Sequence, residues 1–369
     1  MIADPFAARM NKFRALLRAE SLDAFLVAVP ENRYYLSGYY AEDLQLTESS
    51  GYLFITDSKQ YILTDPRYEQ DAVRDAPGFE TIIYRQGIGQ ALPDLFSFLL
   101  VMRVGFEKDH LTYGKFQEIE EILQKCNPRG MLIGMSGLVE RLRIIKESEE
   151  IGKIKASLTL TESVVRSVWE SIRPGRTEKS VAWEIERMIR EGGGEAVSFP
   201  PIVASGLNAA LPHAVPTDRV LSCEEPVILD VGSKLDHYCS DMTRTWVSGT
   251  FSGKMREIYG VVREAQLAAQ DAVMAGMDSA VIDGIARGII ASAGYGDFFG
   301  HGLGHGVGLA VHELPGLRRQ GGTILKENMV ITIEPGIYLP GIGGVRLENM
   351  VLVGAGGCEV LNREDLFFA

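Results

Sequence analysis

Asp230, Asp241, His305, Glu334 and Glu348 are five metal-ligating side chains, spaced so that two hairpins and one glycine-flanked strand can bring them to a single point. Asp230 lies in Pro226-Val-Ile-Leu-Asp-Val-Gly232 and Asp241 in Tyr238-Cys-Ser-Asp-Met-Thr-Arg-Thr-Trp246, two strand-like runs joined by a turn near Lys234 to His237. A tight turn there is expected to set residues 230 and 241 opposite each other, where Cβ atoms stand roughly 4.5–5.5 Å apart and like charges repel. Glu334 in Val330-Ile-Thr-Ile-Glu-Pro-Gly336 and Glu348 in Gly344-Val-Arg-Leu-Glu-Asn349 repeat the arrangement around Pro340-Gly341. Four carboxylates forced together need cations, and His305 adds a nitrogen ligand. The set implies a two-metal hydrolytic site.

Five of the six histidines fall between residues 213 and 312. Gly300-His-Gly-Leu-Gly-His-Gly-Val-Gly308 alternates glycine with larger residues. If extended, it points His301, Leu303, His305 and Val307 to one face and leaves the other bare for backbone or ligand to approach. Its glycines do not satisfy G-x-G-x-x-G and no basic residue follows at once, which disfavours a phosphate cradle. Val311-His-Glu-Leu-Pro315 falls short of the zincin helix H-E-x-x-H, because residue 316 is Gly and Pro315 opposes a continuing helix. No G-x-S-x-G elbow occurs. His110 and His237 read as structural or surface residues. Taken singly, each acid is an ordinary cap or loop residue; two opposed acid pairs beside a histidine strand point to a site.

The elements that must position these residues alternate along the chain. Asp4 and Pro5 start a helix with apolar Phe6, Met10, Phe13 and Leu17, and Ala24-Phe-Leu-Val-Ala-Val29 reads as a buried strand. Gly51-Tyr-Leu-Phe-Ile-Thr56 and Tyr61-Ile-Leu-Thr64 form a hairpin about Asp57-Ser-Lys-Gln60. A boundary near Leu142-Arg-Ile-Ile-Lys146 divides the chain into residues 1–142 and 143–369, the second opening with a helix whose stripe is Ile151, Ile154, Leu158, Val165 and Val168. That second part carries a duplication of pattern. A long helix ends at Arg173-Pro-Gly175 and Thr177 caps another running to Gly192-Gly-Gly194. About a hundred residues on, a helix from Lys254 ends at Gly276 and Asp278 caps another running to Gly294. Each helix pair precedes β-rich sequence with part of the candidate site.

Composition limits the alternatives. A length of 369 residues suits about two domains. A net charge of −12 opposes nucleic-acid binding. No apolar run is long enough for a membrane span, and Met1-Ile-Ala-Asp-Pro-Phe6 lacks the basic-then-apolar pattern of a secretory signal. Cys126, Cys223, Cys239 and Cys358 are scattered, as expected of reduced thiols in a cytoplasmic α/β or α+β protein.

Leu229-Asp-Val-Gly232, Ser240-Asp-Met-Thr-Arg-Thr245, Gly300–Gly308, Val311-His-Glu313, Thr332-Ile-Glu-Pro-Gly336 and Gly344-Val-Arg-Leu-Glu-Asn349 together resemble the proline-specific pita-bread metallopeptidases, Xaa-Pro aminopeptidase and prolidase. Asn32-Arg-Tyr-Tyr-Leu-Ser-Gly38, Leu63-Thr-Asp-Pro-Arg-Tyr68 and Leu142-Arg-Ile-Ile-Lys-Glu147 resemble the creatinase-type N-terminal domain and its junction. The resemblance implies an α+β chain, with a smaller α/β N-terminal domain and a pita-bread catalytic domain. It implies that Asp230 holds one metal, His305 and Glu334 the other, and that Asp241 and Glu348 bridge both. Metals about 3.5–4 Å apart lower the pKa of a shared water, and this hard donor set suits manganese, with cobalt or zinc also plausible. Glu334 would also pass on the nucleophile's proton. By the same resemblance His213 and His312 contact the scissile peptide and His301 lines the proline side of the pocket; Arg346, two residues before Glu348 on the same strand face, is expected to orient carboxylates beside the substrate.

The resemblance implies removal of an N-terminal residue that precedes proline, and a homodimer. Xaa-Pro dipeptide cleavage is the alternative. Prolidase-like relatives tend to carry Arg just after His-Glu-x-Pro, where it can pair with a dipeptide's carboxylate; here Gly316 stands there, so longer peptides are expected to be preferred unless Arg318 or Arg319 compensates. His237 stands where relatives often have Gly. Metal-free creatinase-like hydrolysis fits poorly with five intact ligand positions. Methionine aminopeptidase leaves the first third unexplained, and a silent binding module would not need the full ligand set.

Overall fold

The computed structural model describes residues 5–251 and 253–367. Two compact units span Met1–Arg143 and Ile144–Ala369. Both mix helix and sheet.

In the first unit, six strands lie in the spatial order Glu80–Ile83, Gln60–Thr64, Tyr52–Thr56, Ala24–Val27, Arg103–Glu107 and Met131–Met135. Ala24–Val27 runs antiparallel to Tyr52–Thr56 and parallel to Arg103–Glu107. All four of its residues are buried, as a continuous apolar run in mid-sheet requires. The helix Pro5–Ala19 buries Met10, Phe13 and Leu17 at the expected helical spacing; Asp4 lies outside the described residues.

The second unit contains the repeated helix pairs. Ser148–Ser171 opens with a reciprocal capping box of Glu147 and Glu150, and Glu178–Glu191 is capped by Thr177. Gly253–Asp271 is followed by Ser279–Ser292, capped by Asp278. The long helix expected to reach Gly276 stops at Asp271, and residues 272–277 turn instead.

The two halves match bond for bond at the entry to their second helices. Gly175 N donates to Leu221 O, Leu221 N to Arg176 O, and Glu178 N to Arg219 O; Gly276 N donates to Leu325 O, Leu325 N to Met277 O, and Ser279 N to Thr323 O. The duplication is therefore one of backbone structure as well as of sequence pattern.

Ile202–Ser205, Pro226–Val231 and Met242–Val247 form one sheet of the second unit. Glu313–Leu317, Gly304–Gly306, Val330–Ile333, Asn349–Gly354 and Gly357–Val360 form another. Ile258, Val262, Ile282 and Ile290 of the helices pack with Leu303, Ile331, Val345 and Leu347, all fully buried. Burial of each such side chain stabilises by about 1.5–3 kcal/mol. The strands that carry Glu334 and Glu348 to the site are therefore anchored from behind.

Candidate metal centre

Strand register sets the first acid pair. Asp230 lies opposite Thr243 and Val231 opposite Met242, while Lys234 opposite Cys239 and Leu235 opposite Tyr238 continue the same register. Asp241 therefore stands across from Gly232, and the expected direct opposition of Asp230 and Asp241 is corrected to a diagonal pair on one face. The cause is the loop. Only Asp236 and His237 turn the chain, with φ of 47° and 68°, as a two-residue hairpin with both central residues left-handed requires. His237 is occupied there, with its Nδ1 3.3 Å from Glu195 Oε2. Gly232 cannot be larger, since a Cβ would lie 2.0 Å from Ser198 Oγ and 2.1 Å from Ser240 O.

The second pair follows one hairpin register throughout. Ile333 lies opposite Asn349 and Gly336 opposite Arg346, which sets Glu334 across from Glu348. Thr332 Oγ1 donates to Glu334 Oε1 at 3.2 Å, and Thr243 Oγ1 donates to Glu348 Oε2 at 2.7 Å.

His305 Nε2 lies 3.3 Å from Glu334 Oε1 and 3.6 Å from Asp241 Oδ2. The glycine-rich segment is strand only over Gly304–Gly306, with a register shift between His305 and Gly306. Leu303 and Val307 are fully buried and do not share the site face with His301 and His305, a correction to the continuous strand expected. The bare side is taken by backbone: a Cβ on Gly304 would lie 2.0 Å from Thr332 O, and one on Gly306 2.2 Å from Leu314 O.

The four acids and His305 line a cavity of about 470 Å³ with His213, His301, His312 and Arg346. Phe199, Pro200, Pro201, Pro212 and Val215 give it an apolar wall. The His312 ring stands perpendicular to that of His305, with centroids 4.3 Å apart. Arg346 donates from Nη2 to Asp230 Oδ2 at 2.6 Å, from Nε to Thr243 Oγ1 at 3.2 Å, and from Nη1 to Tyr338 OH at 2.7 Å. Tyr338 OH also meets His301 Nε2 at 2.9 Å. Tyr338, Thr243 and Thr332 were not anticipated as site residues. Thr243 and Thr332 had a readable signal, each two residues along a strand from an acid and so on its face.

The electrostatics fit cations. Burial, then Glu348 and Asp230, pushes Asp241 well above the usual carboxylate range. Burial, then Glu334 and Asp230, raises Glu348 to about 8. Burial would raise Glu334 too, but its bond to His305 brings it to about 2, and the same contact outweighs burial to lift His305 to about 9. Asp230 Oδ1, Asp241 Oδ1 and Glu348 Oε1 are buried without a hydrogen-bond partner. Buried carboxylate oxygens without partners are costly unless a cation meets them. Three triads have ligand atoms within 4.8 Å of one another: Asp230, Asp241 and Glu348; His305, Glu334 and Glu348; Asp241, His305 and His312. Asp241, His305 and Glu348 each occur twice. The donor set suits divalent metal.

Comparison with known proteins agrees with this chemistry. Residues 152–355 match the model of metallopeptidase family M24, and residues 9–145 match the creatinase/prolidase N-terminal domain. An Xaa-Pro dipeptidase from Pyrococcus furiosus is 35% identical over 357 residues, covering 97% of this chain and 98% of that protein. The structure of an Xaa-Pro dipeptidase from Bacillus anthracis superposes with a TM-score of 0.91 at 35% identity, covering 99% and 100% of the two chains. An X-Pro aminopeptidase from Thermotoga maritima superposes with a TM-score of 0.84 at 33% identity, covering 95% and 98%. With a creatinase/prolidase N-terminal domain followed along the chain by an α+β pita-bread unit, the chain belongs to metallopeptidase family M24.

Proposed function

We propose that this chain is a dinuclear metal-dependent exopeptidase that hydrolyses Xaa-Pro bonds, with Xaa-Pro dipeptides as favoured substrates. The carrying observation is the pair of triads sharing Glu348 in a cavity walled by Phe199 and prolines. Residues 1–142 form the N-terminal domain in this reading and 143–369 the catalytic one. Asp230 belongs to one metal, His305 and Glu334 to the other, and Asp241 and Glu348 to both. Divalent ions held there supply Lewis acidity, polarising a carbonyl and making water nucleophilic at neutral pH. Manganese suits so oxygen-rich a set, with cobalt or zinc as alternatives.

The chain's own groups do the rest. Glu334 takes the proton of the attacking water and passes it towards the proline nitrogen. His312 and His213 donate to the scissile carbonyl oxygen as negative charge develops on it. His301, its Nε2 engaged by Tyr338, presents a flat wall to the proline ring. Arg346 fixes Asp230 and is committed to protein partners, so it shapes the pocket more than it grips substrate.

Gly316 favoured longer peptides in the sequence. The relatives named dipeptidases favour the shorter substrate, and Arg318 supplies a physical reason. Gly316 pairs with His305, and a Cβ on it would lie 3.8 Å from Arg318 Nε. Arg318 and Arg319 border a cleft that opens beside His301 and Gly302. Among the described residues no carboxylate forms an ion pair with either, so one is free to meet a dipeptide's carboxylate. Aminopeptidase action on longer peptides is the second reading, supported by the bare Gly316 and the Thermotoga relative. A homodimer acting in the cytoplasm completes the proposal; among the described residues no helix is long and apolar enough to cross a membrane. A manganese-supplemented assay of an Xaa-Pro dipeptide against an Xaa-Pro-Xaa tripeptide tests it. Cleavage of neither, by protein verified to hold metal, would refute it.

A further inference from the structure

The wall of the cavity that carries His213 is a loop with little packing of its own. It leaves the strand Ile202–Ser205, makes the short turn Gly206–Ala210, and runs through Leu211 to Pro216. Leu211 and Val215 are largely exposed, and Ala214 is buried in a small cluster with Ala204, Ala209, Ile228 and Tyr338. From inside the cavity, Arg346 Nη1 holds Pro212 O at 3.0 Å. From outside, one side chain holds both ends.

That side chain is Glu178, the first residue of the helix Glu178–Glu191, and it is fully buried. Its Oε1 accepts from Ser205 N at 2.7 Å and Ser205 Oγ at 2.8 Å. Its Oε2 accepts from Asn208 Nδ2 at 2.9 Å, Thr217 N at 2.9 Å and Thr217 Oγ1 at 2.7 Å. Among the described residues no cation is paired with it, so five hydrogen bonds alone offset its desolvation. All five come from residues 205, 208 and 217, which bracket His213. The same helical turn adds Lys179 N to Thr217 O at 3.1 Å.

The other half of the duplication uses the equivalent position in the same way. Ser279, also first in its helix and fully buried, donates from Oγ to Gly316 O at 2.9 Å and accepts from Thr323 N at 3.0 Å. It thereby ties the two ends of the segment bearing Arg318 and Arg319. A carboxylate is needed in the first half because more donors converge there than one hydroxyl can accept.

We propose that Glu178 is a positioning residue for the peptidase reaction, clasping residues 205–217 so that His213 is held against the scissile bond. This rests on the proposed peptidase reading. Glu178→Gln keeps the shape but turns an amide NH2 group towards donors, so one end of the clasp opens. The expected loss in kcat is about tenfold to a hundredfold, up to the low end for removing one oxyanion donor, with metal content unchanged.

A double-mutant cycle with His213→Ala separates positioning from general damage. If Glu178 acts through His213, the double variant is barely worse than His213→Ala alone; independent effects multiply instead and overturn the proposal. Hydrogen exchange gives a readout that does not depend on activity. The amides of Ser205 and Thr217 should exchange at least about tenfold faster in Glu178→Gln, with the strands of the metal centre unchanged. Unchanged protection at 205 and 217 sinks the clasp even if the enzyme is inactive on Xaa-Pro peptides, whereas faster exchange in an inactive protein sinks only the peptidase reading. Should Glu178→Gln fail to fold, Thr217→Val and Asn208→Leu each remove one donor and run the same cycle, with smaller losses expected and multiplicative losses again overturning the proposal.

Discussion

Glu334 and Glu348 stand opposite each other where the 330–352 hairpin turns its amides outward: Glu334 N donates to Leu303 O and Glu348 N to Thr243 O. Leu347 N bonds back to Pro335 O, so 334 and 348 form a non-hydrogen-bonded pair, the kind in which opposed side chains are closest. The outward amides join this hairpin to the His301–His305 segment and to the strand beside Asp230. One register thus both crowds the two carboxylates and brings the two halves of the duplication to one point.

That crowding makes metal binding pH-dependent. Glu348 at about 8 and His305 at about 9 hold protons at neutral pH in the ion-free site, and burial with its acidic neighbours raises Asp241 too. Metal needs the deprotonated forms, so protons leave as it binds. Affinity for manganese is expected to rise with pH through 8 to 9, and binding at pH 7 should release at least one proton. Calorimetry in buffers of different ionisation enthalpy measures this directly. Binding with no proton release would mean that the carboxylates share their charge in some other way.

His305→Ala and Glu348→Ala should lose metal, since each residue belongs to two of the three triads. His312→Ala should keep both ions and lose about 10²–10³ in kcat, the scale for one oxyanion donor. His312 is also close enough to Asp241 and His305 to act as a ligand. Elemental analysis of the three variants decides: loss of an ion from His312→Ala would make it a ligand rather than a substrate contact.

Tyr338→Phe tests the network behind the ligands. Its hydroxyl joins His301 Nε2 to Arg346 Nη1, and Arg346 in turn holds Asp230. Removing the hydroxyl leaves a buried guanidinium donor unmet, a cost of about 1–3 kcal/mol. Denaturant unfolding should register it, with KM raised as His301 loosens and both ions retained. A fully stable variant with normal KM would show that water replaces the hydroxyl without loss.

Much of this site was legible in sequence because strand periodicity is local. Asp230 and Glu334 each close a short apolar run, Asp241 and Glu348 lie on the return from the turn that follows, and glycines mark where Thr332 O and Leu314 O press close. The register of the first hairpin was not legible. It depends on Asp236 and His237 adopting left-handed conformations that neither residue type announces as strongly as glycine. Tyr338 and Glu178 were unreadable for a different reason. Their partners are eight or more residues away across a sheet or loop, and nothing in a tyrosine or an acid at a helix start names the groups it will meet.

The proposed preference for dipeptides is tested at Arg318. A dipeptide puts its carboxylate on the proline itself, inside the cavity, where an anion needs a cation or several donors. Arg318 lies beside Gly316, whose partner across the ladder is His305, and borders the same cleft as His301 and Gly302. A charge-assisted contact contributes about 1.5–3 kcal/mol, and each 1.4 kcal/mol is about tenfold. Arg318→Ala should therefore lower kcat/KM for Xaa-Pro dipeptides by one to two orders of magnitude and leave Xaa-Pro-Xaa tripeptides nearly unchanged. Adding Gly316→Arg to that variant should restore dipeptide cleavage, because the 316 position has only ordinary contacts to displace. If the unmodified enzyme prefers tripeptides and Arg318→Ala changes neither rate, the carboxylate is never read at this end. The enzyme is then an aminopeptidase that lets longer chains run out past Gly316.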